Sequence, residues 1–175
     1  MPTLKETSTP DRSSEPEVVA STGCRAEPPR QRRLLFSHRN QWKVVVESIH
    51  RGFLDAAVTL RLPSGVCMVA EVPLSTASML GISIGRHFTA LVDPHAILLE
   101  AGTSRPLVSC VNCLEGEVSD ATEAMDTVEL ELTVGKVDRF HMNIPVFGGC
   151  RESFVRGNRV WVLFPSRCVV LARAF

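Results

Sequence analysis

From Phe36 onward, apolar and polar positions alternate with a period of two. Val44 and Val46 alternate with polar or edge positions, and Val58, Leu60 and Leu62 do the same. Val66, Met68, Ala70 and Val72 follow, then Phe88, Ala90 and Val92, then the apolar run Ile97-Leu98-Leu99. Such alternation puts every second side chain on one face and is the mark of half-buried strands. Pro63-Ser64-Gly65 stands between two of these runs and predicts a hairpin turn. One stretch breaks the alternation. Ser75-Thr76-Ala77-Ser78-Met79-Leu80-Gly81 predicts a helix of about two turns, with Ser75 or Thr76 to cap its start and Gly81 to end it.

The same order of elements then returns. Asn40-Gln41-Trp42 recurs as Asn112-Cys113-Leu114, and Val58-Thr59-Leu60-Arg61-Leu62 as Val128-Glu129-Leu130-Glu131-Leu132. Val72-Pro73 recurs as Ile144-Pro145, Gly85 as Gly157, Ala90-Leu91-Val92 as Val162-Leu163-Phe164, and Ile97-Leu98-Leu99 as Val169-Val170-Leu171. Chance likeness among strand formers does not keep an Asn, an apolar-Pro pair and a Gly in register, so the chain is a tandem duplication. Five short strands and one short helix per unit is the count of an OB-like barrel. The expected fold is therefore all-β, with two tandem OB-like five-stranded barrels, each carrying one short helix. The expected repeats cover residues 35–101 and 107–175, joined by a Gly102–Pro106 linker.

Residues 1–34 read differently. They are rich in Ser, Thr, Pro, Glu and Arg and nearly empty of large apolar side chains, the composition of a disordered arm. Arg25, Arg30, Arg32 and Arg33 cluster at its end, either as a solvated linker or as a contact for nucleic acid or a protein. The whole chain balances 19 basic against 19 acidic side chains and lacks the basic excess of a general nucleic-acid binder. Direct DNA binding is not expected. No apolar run approaches the roughly 20 residues of a membrane-spanning helix, and no secretory signal is visible, so a cytoplasmic location without membrane contact is expected. Of the six cysteines only Cys110 and Cys113 form a C-x-x-C, without a second ligand pair, so no metal site is expected. No Ser-His-Asp set, Walker loop or dinucleotide fingerprint occurs, and no enzyme is expected. Trp42 and Trp161 lie in strand patterns and read as core or interface residues, and Glu129 and Glu131 as the solvated face of a strand.

Candidate chemistry gathers at Ser37-His38-Arg39-Asn40-Gln41-Trp42, which opens the first repeat. A tetrahedral oxyanion needs several hydrogen-bond donors and a positive charge. Arg39 offers a permanently charged planar fork and Ser37 a hydroxyl, and the start of a short helix offers backbone N–H groups. Together with the Pro-Ser-Gly hairpin, the Leu-Gly-Ile after the helix, Ile84-Gly85 and the Ala-Ile-Leu-Leu end, this opening resembles the tandem Mop/TOBE module of the molybdate-responsive regulators and the stand-alone molbindins. The resemblance spans about residues 35–174 and lacks the regulators' helix-turn-helix. It implies a molybdate- or tungstate-binding protein, acting as sensor, buffer or carrier. It also implies a homo-oligomer, dimer or trimer, with sites at subunit interfaces. The alternative is a ligand-free interaction module of the same fold with a degenerate site.

Carried over position by position, the resemblance assigns the anion to Ser37, Arg39 and Thr76, with His38 and Ser75 beside them. The chain departs from the pattern where Pro73 stands for a hydroxyl and Val92 for a lysine, followed by Asp93. Val92→Lys is accordingly expected to restore a cation and raise affinity. In the second repeat Val111 stands for the arginine, Gly148 for the hydroxyl and Phe164 for the lysine, so that repeat is expected to be mainly structural.

Overall fold

The computed structural model describes residues 39–109, 112–145 and 153–173, and among them ten strands alternate with one short helix and short 3-10 turns. The stretch 146–152, where the second repeat's helix is expected, lies outside the described residues. The expected arm at 1–34, together with Ser37, His38, Val111 and Gly148, lies outside the described residues. In chain order the elements are β1 (Gln41–Arg51), β2 (Asp55–Arg61), β3 (Cys67–Pro73), α1 (Leu74–Leu80), β4 (His87–Val92) and β5 (Leu98–Ala101). They continue with β6 (Asn112–Ala124), β7 (Thr127–Val134), β8 (Asp138–Pro145), β9 (Arg159–Phe164) and β10 (Val169–Ala172). Two of the 3-10 turns are Pro94–Ala96 and Ser166–Cys168. No helix among the described residues is long and apolar enough to cross a membrane.

The alternation read from the sequence becomes real pleating. In β2 every second residue (Ala56, Val58, Leu60) is buried, and in β7 Val128, Leu130, Leu132 and Val134 are buried in the same way. Gly65 takes a positive φ of 91° in the Pro63-Ser64-Gly65 turn, which a glycine adopts without steric cost. The duplication is just as visible. β1 is bulged between Val46 and Ser48, and β6 between Val118 and Asp120. At each bulge a glycine N–H closes on the strand, Gly85 to Val46 O and Gly157 to Val118 O, both at 2.8 Å.

Sequence repeats and spatial sheets do not coincide. The strand orders are β10-β4-β1-β2-β3 and β5-β9-β6-β7-β8. Each repeat therefore gives its fifth strand to the other barrel. β5 pairs with β9 (Leu98 opposite Leu163) and β10 pairs with β4 (Val169 opposite Val92). The exchange makes one continuous core, in which Trp42 and Val92 from the first repeat and Phe140 and Val169 from the second belong to a single buried cluster. The Trp42 ring lies 4.1 Å from that of Phe140, and its Nε1 donates to Arg139 O at 3.1 Å, so Trp42 serves core and interface at once. All of these residues fall within one unit, residues 33–175.

The two hairpin turns also meet. Asp138, buried at 2% exposure, accepts the Ser64 N–H at 3.1 Å. A Cβ placed on Gly135 would sit 2.5 Å from the Cβ of Ser64, and Gly135 itself has φ 61°. Gly135→Ala is therefore expected to combine left-handed strain with a clash that pushes the hairpins apart. Strain of this kind costs about 1–3 kcal/mol. Chemical denaturation should show a loss of at least that size, and an unchanged midpoint would mean that the turns are free to separate.

Candidate functional site

Arg39 stands two residues before β1 and projects into a solvent-open cavity of about 510 Å³ between the repeats. The cavity walls come from Asp93-Pro94-His95 in the first repeat, and from β6, β7 and β8 in the second. Its ionic lining is mostly acidic, with Asp93, Asp120, Glu129 and Glu131 facing Arg39, His95 and His141. The Arg39 guanidinium pairs with Glu129 at 3.2 Å, both side chains being well exposed. Glu131 is taken by Arg139 on the neighbouring strand. Glu129 thus pairs with an arginine of the first repeat and Glu131 with one of its own sheet, so neither is a merely solvated residue. Period-two alternation identifies the face a residue occupies, and says nothing of which foreign side chain reaches it.

Asp93 caps the 3-10 turn by accepting the His95 N–H at 2.8 Å, and it lines the same cavity as Arg39. Val92, the position where the resemblance puts a lysine, is fully buried at 0% exposure and paired with Val169. A lysine there would face the core and not an anion, which corrects the expectation attached to Val92→Lys. Phe164, its counterpart in the second repeat, is likewise buried and lies near Phe140. The His141 ring is partly buried and its pKa is pushed below the ordinary imidazole value, first by desolvation and then by Arg39 and Arg139.

Ser75 and Thr76 occupy a different place. They lie inside α1 rather than at its cap. The cap position is Pro73, no side chain caps the helix, and Leu74 N donates to Leu54 O instead. Gly81 ends the helix in a left-handed conformation, as the sequence indicates. Pro73 pairs with Asp55, and Ala56 pairs with Arg51, the last residue of β1. Arg39 is at the opposite end of that strand. At about 3.3 Å per residue the two ends of an eleven-residue strand are on the order of 30 Å apart along the chain. Among the described residues, the cavity lining contains Arg39 but neither Ser75 nor Thr76. Among the described residues, one chain does not bring Arg39 together with Ser75 and Thr76.

Two further residues, landmarks of the repeat in the sequence, join the barrels, and one of them adjoins Arg39. Asn40 and Asn112 are buried at 0% and 2% exposure, and each grips the backbone of the other barrel. Asn40 binds both the N–H and the carbonyl of His141, at 2.6 and 2.7 Å. Asn112 does the same to Val69, at 2.7 and 2.9 Å. The signal was present in the sequence, since a polar residue recurring at the same place in both repeats of an apolar pattern needs a reason. On the opposite side of the boundary Arg167 forks onto Glu71 at 2.8 and 3.1 Å, with Ser166 adding a hydroxyl contact at 3.1 Å. The Arg167 hydrogen bond holds the Glu71 carboxyl below the usual carboxylate range.

Comparison with known proteins adds the following. Residues 37–99 match the TOBE domain family. The chain is 32% identical over 64 residues to the molybdenum transport protein ModE of Herbaspirillum seropedicae, covering 37% of this chain and 24% of that protein. It is 28% identical over 136 residues to the molybdenum-pterin-binding protein MopA of Rhodobacter capsulatus, covering 78% of this chain and 51% of that protein. It therefore spans about a quarter and about half of the lengths of these curated relatives. Among solved structures it superimposes on the cytoplasmic molybdate-binding protein ModG, in a form with molybdate bound. That match has a TM-score of 0.72 and 23% identity, and it covers 78% of this chain and 97% of the other. Residues 37–99 thus match the TOBE domain model, and the described residues share the tandem OB-like fold of ModG.

Proposed function

We propose that this chain binds a tetrahedral oxyanion, molybdate or tungstate, and acts in the cytoplasm as a sensor, buffer or carrier in molybdenum homeostasis, without catalysis. The observation that carries the reading is the fold match across both barrels to ModG, whose structure holds molybdate, alongside relatives named for molybdenum transport and molybdenum-pterin binding. Ser37, His38 and Arg39 from one copy and Ser75 and Thr76 from another form the site. The separation of Arg39 from Ser75 and Thr76 within one chain is the reason for assigning it to a homo-oligomer, dimer or trimer. Phe53 at 96% exposure, with exposed Leu54 and Met79, leaves apolar surface near the helix end for such a contact.

Calorimetric titration with molybdate, tungstate and sulfate, paired with sedimentation, tests the reading. Arg39→Ala is expected to weaken oxyanion binding at least roughly tenfold, since a hydrogen bond to a charged group is worth about 1.5–3 kcal/mol. Tight binding that survives Arg39→Ala would remove Arg39 from the site. A clean monomer at micromolar concentration that still binds would overturn the shared-site geometry.

A second reading, a ligand-free interaction module, is favoured by one observation. Arg39 is paired with Glu129 in a mostly acidic cavity. An arriving anion must displace that carboxylate and tolerate Asp93 and Asp120. Absence of binding in the wild type, with binding in Glu129→Gln, would select this second reading.

A further inference from the structure

Each repeat opens on an asparagine that behaves as a piece of backbone. A side-chain amide carries the same donor and acceptor as a peptide unit. Asn40 uses both on one residue of β8, donating from Nδ2 to His141 O at 2.7 Å and accepting His141 N–H on Oδ1 at 2.6 Å. Asn112 repeats the grip on Val69 of β3. β3 and β8 are the terminal strands of their sheets, whose outward N–H and carbonyl groups need partners. The asparagines supply one added rung to each edge, from the opposite repeat. Asn40 is tied a second time, because its own carbonyl accepts Val92 N–H at 3.2 Å.

We infer that Asn40 is the positioning residue for Arg39: its clasp on β8 fixes the backbone from which the guanidinium projects, so that the second barrel holds the cation of the first. The inference rests on the reading of Arg39 as the anion ligand. Arg39 adjoins Asn40 in the chain and is exposed, and among the described residues its side chain forms an ion pair with Glu129. An exposed pair of that kind holds a side chain weakly. The fixed point is therefore residue 40, buried and bonded to two strands. Its grip on His141 is next to the strand that carries Glu129, so backbone and side chain are both referred to the second repeat. The two barrels are then not independent binding units. Displacing β8 moves Arg39.

The duplication provides the control. Asn112 makes the same clasp at the same burial, but the residue before it is Val111, which carries no charge. Loss of either clasp leaves a strand edge unpaired and should lower thermal stability to a similar degree. Only loss of Asn40 should weaken anion binding. The experiment titrates the full chain with molybdate, comparing wild type, Asn40→Ala and Asn112→Ala at a temperature where near-UV circular dichroism shows all three folded. Asn40→Ser, which keeps one hydrogen-bonding group, replaces the alanine variant if that does not fold. Asn40→Ala is expected to bind at least roughly tenfold more weakly, the worth of one charge-assisted hydrogen bond, with Asn112→Ala near wild type. Equal affinity in Asn40→Ala and wild type, or equal loss in both variants, would overturn the inference. If the wild type binds no anion, the functional reading fails on its own, and the positioning role is read from NMR relaxation of the Arg39 Nε–H group. That group should become more mobile in Asn40→Ala and not in Asn112→Ala. Unchanged Arg39 mobility in Asn40→Ala would overturn the positioning role whatever the ligand.

Discussion

Truncation after Cys168 is expected to melt the first barrel, although the residues removed belong to the second repeat. The cut deletes β10, which pairs residue by residue with β4, from Val169 opposite Val92 to Ala172 opposite Thr89. Val169 and Leu171 are both buried in the shared core. Removing two buried aliphatic side chains forfeits about 1.5–3 kcal/mol each. The cut also opens the edge of β4 and uncovers the core around Ala90 and Val92. Set against a stability of about 5–15 kcal/mol for a domain, that is enough to abolish cooperative folding or to leave a marginal state. Hydrogen exchange should report the damage first at Thr89–Val92 and only later in β6 and β7. If β4 keeps its protection while β9 loses it, the strand exchange is absent in solution.

Val92→Lys is expected to unfold the protein rather than improve it. The side chain at 92 is fully enclosed, between Ala90 of its own strand and Val169 opposite. A lysine there must bury an ammonium without a partner, and the effective penalty is several kcal/mol even after relaxation. For a protein of this size each kcal/mol lowers the melting temperature by about 2–4 °C, so a shift of ten degrees or more is expected. The charge change that the geometry tolerates is one residue later. Asp93→Asn keeps a side-chain oxygen to accept the His95 N–H and removes a carboxylate from the cavity that holds Arg39. It should leave the melting temperature nearly unchanged and raise oxyanion affinity. A stable Val92→Lys protein with tighter anion binding would restore the site geometry implied by the resemblance and refute this one.

Much of the architecture is legible in the sequence. The alternation at Val58, Leu60 and Leu62 and at Phe88, Ala90 and Val92 sets faces, because side chains in a strand point to opposite sides in strict turn. Glycine at 65 and 81 marks a turn and a helix end because those positions take positive φ. The recurrence of Asn40 as Asn112 and of Gly85 as Gly157 announces a duplication, and both pairs turn out to make matched contacts. All of these are local properties, carried by a residue and its near neighbours.

What only the tertiary structure decided is partnership. Periodicity assigns a residue to a face and cannot say which strand lies beside it, so nothing in Ile97-Leu98-Leu99 or Val169-Val170-Leu171 reveals that β5 and β10 change places. The helix starts at Leu74, one residue earlier than its hydroxyl signal, because Leu54 O takes the first N–H. Val92 reads as a site position in a linear comparison and as a core position in space. Arg39 reads as an anion ligand and is found paired with Glu129, which is ninety residues distant in the chain. Whether a charge faces solvent, an anion or a carboxylate depends on groups brought together across the fold, and interactions between exposed charges are screened beyond about 8–10 Å at physiological ionic strength. The sequence alone therefore determined the strands, their faces and the repeat, while the exchange of strands and the company of each charge came from the folding of one repeat around the other.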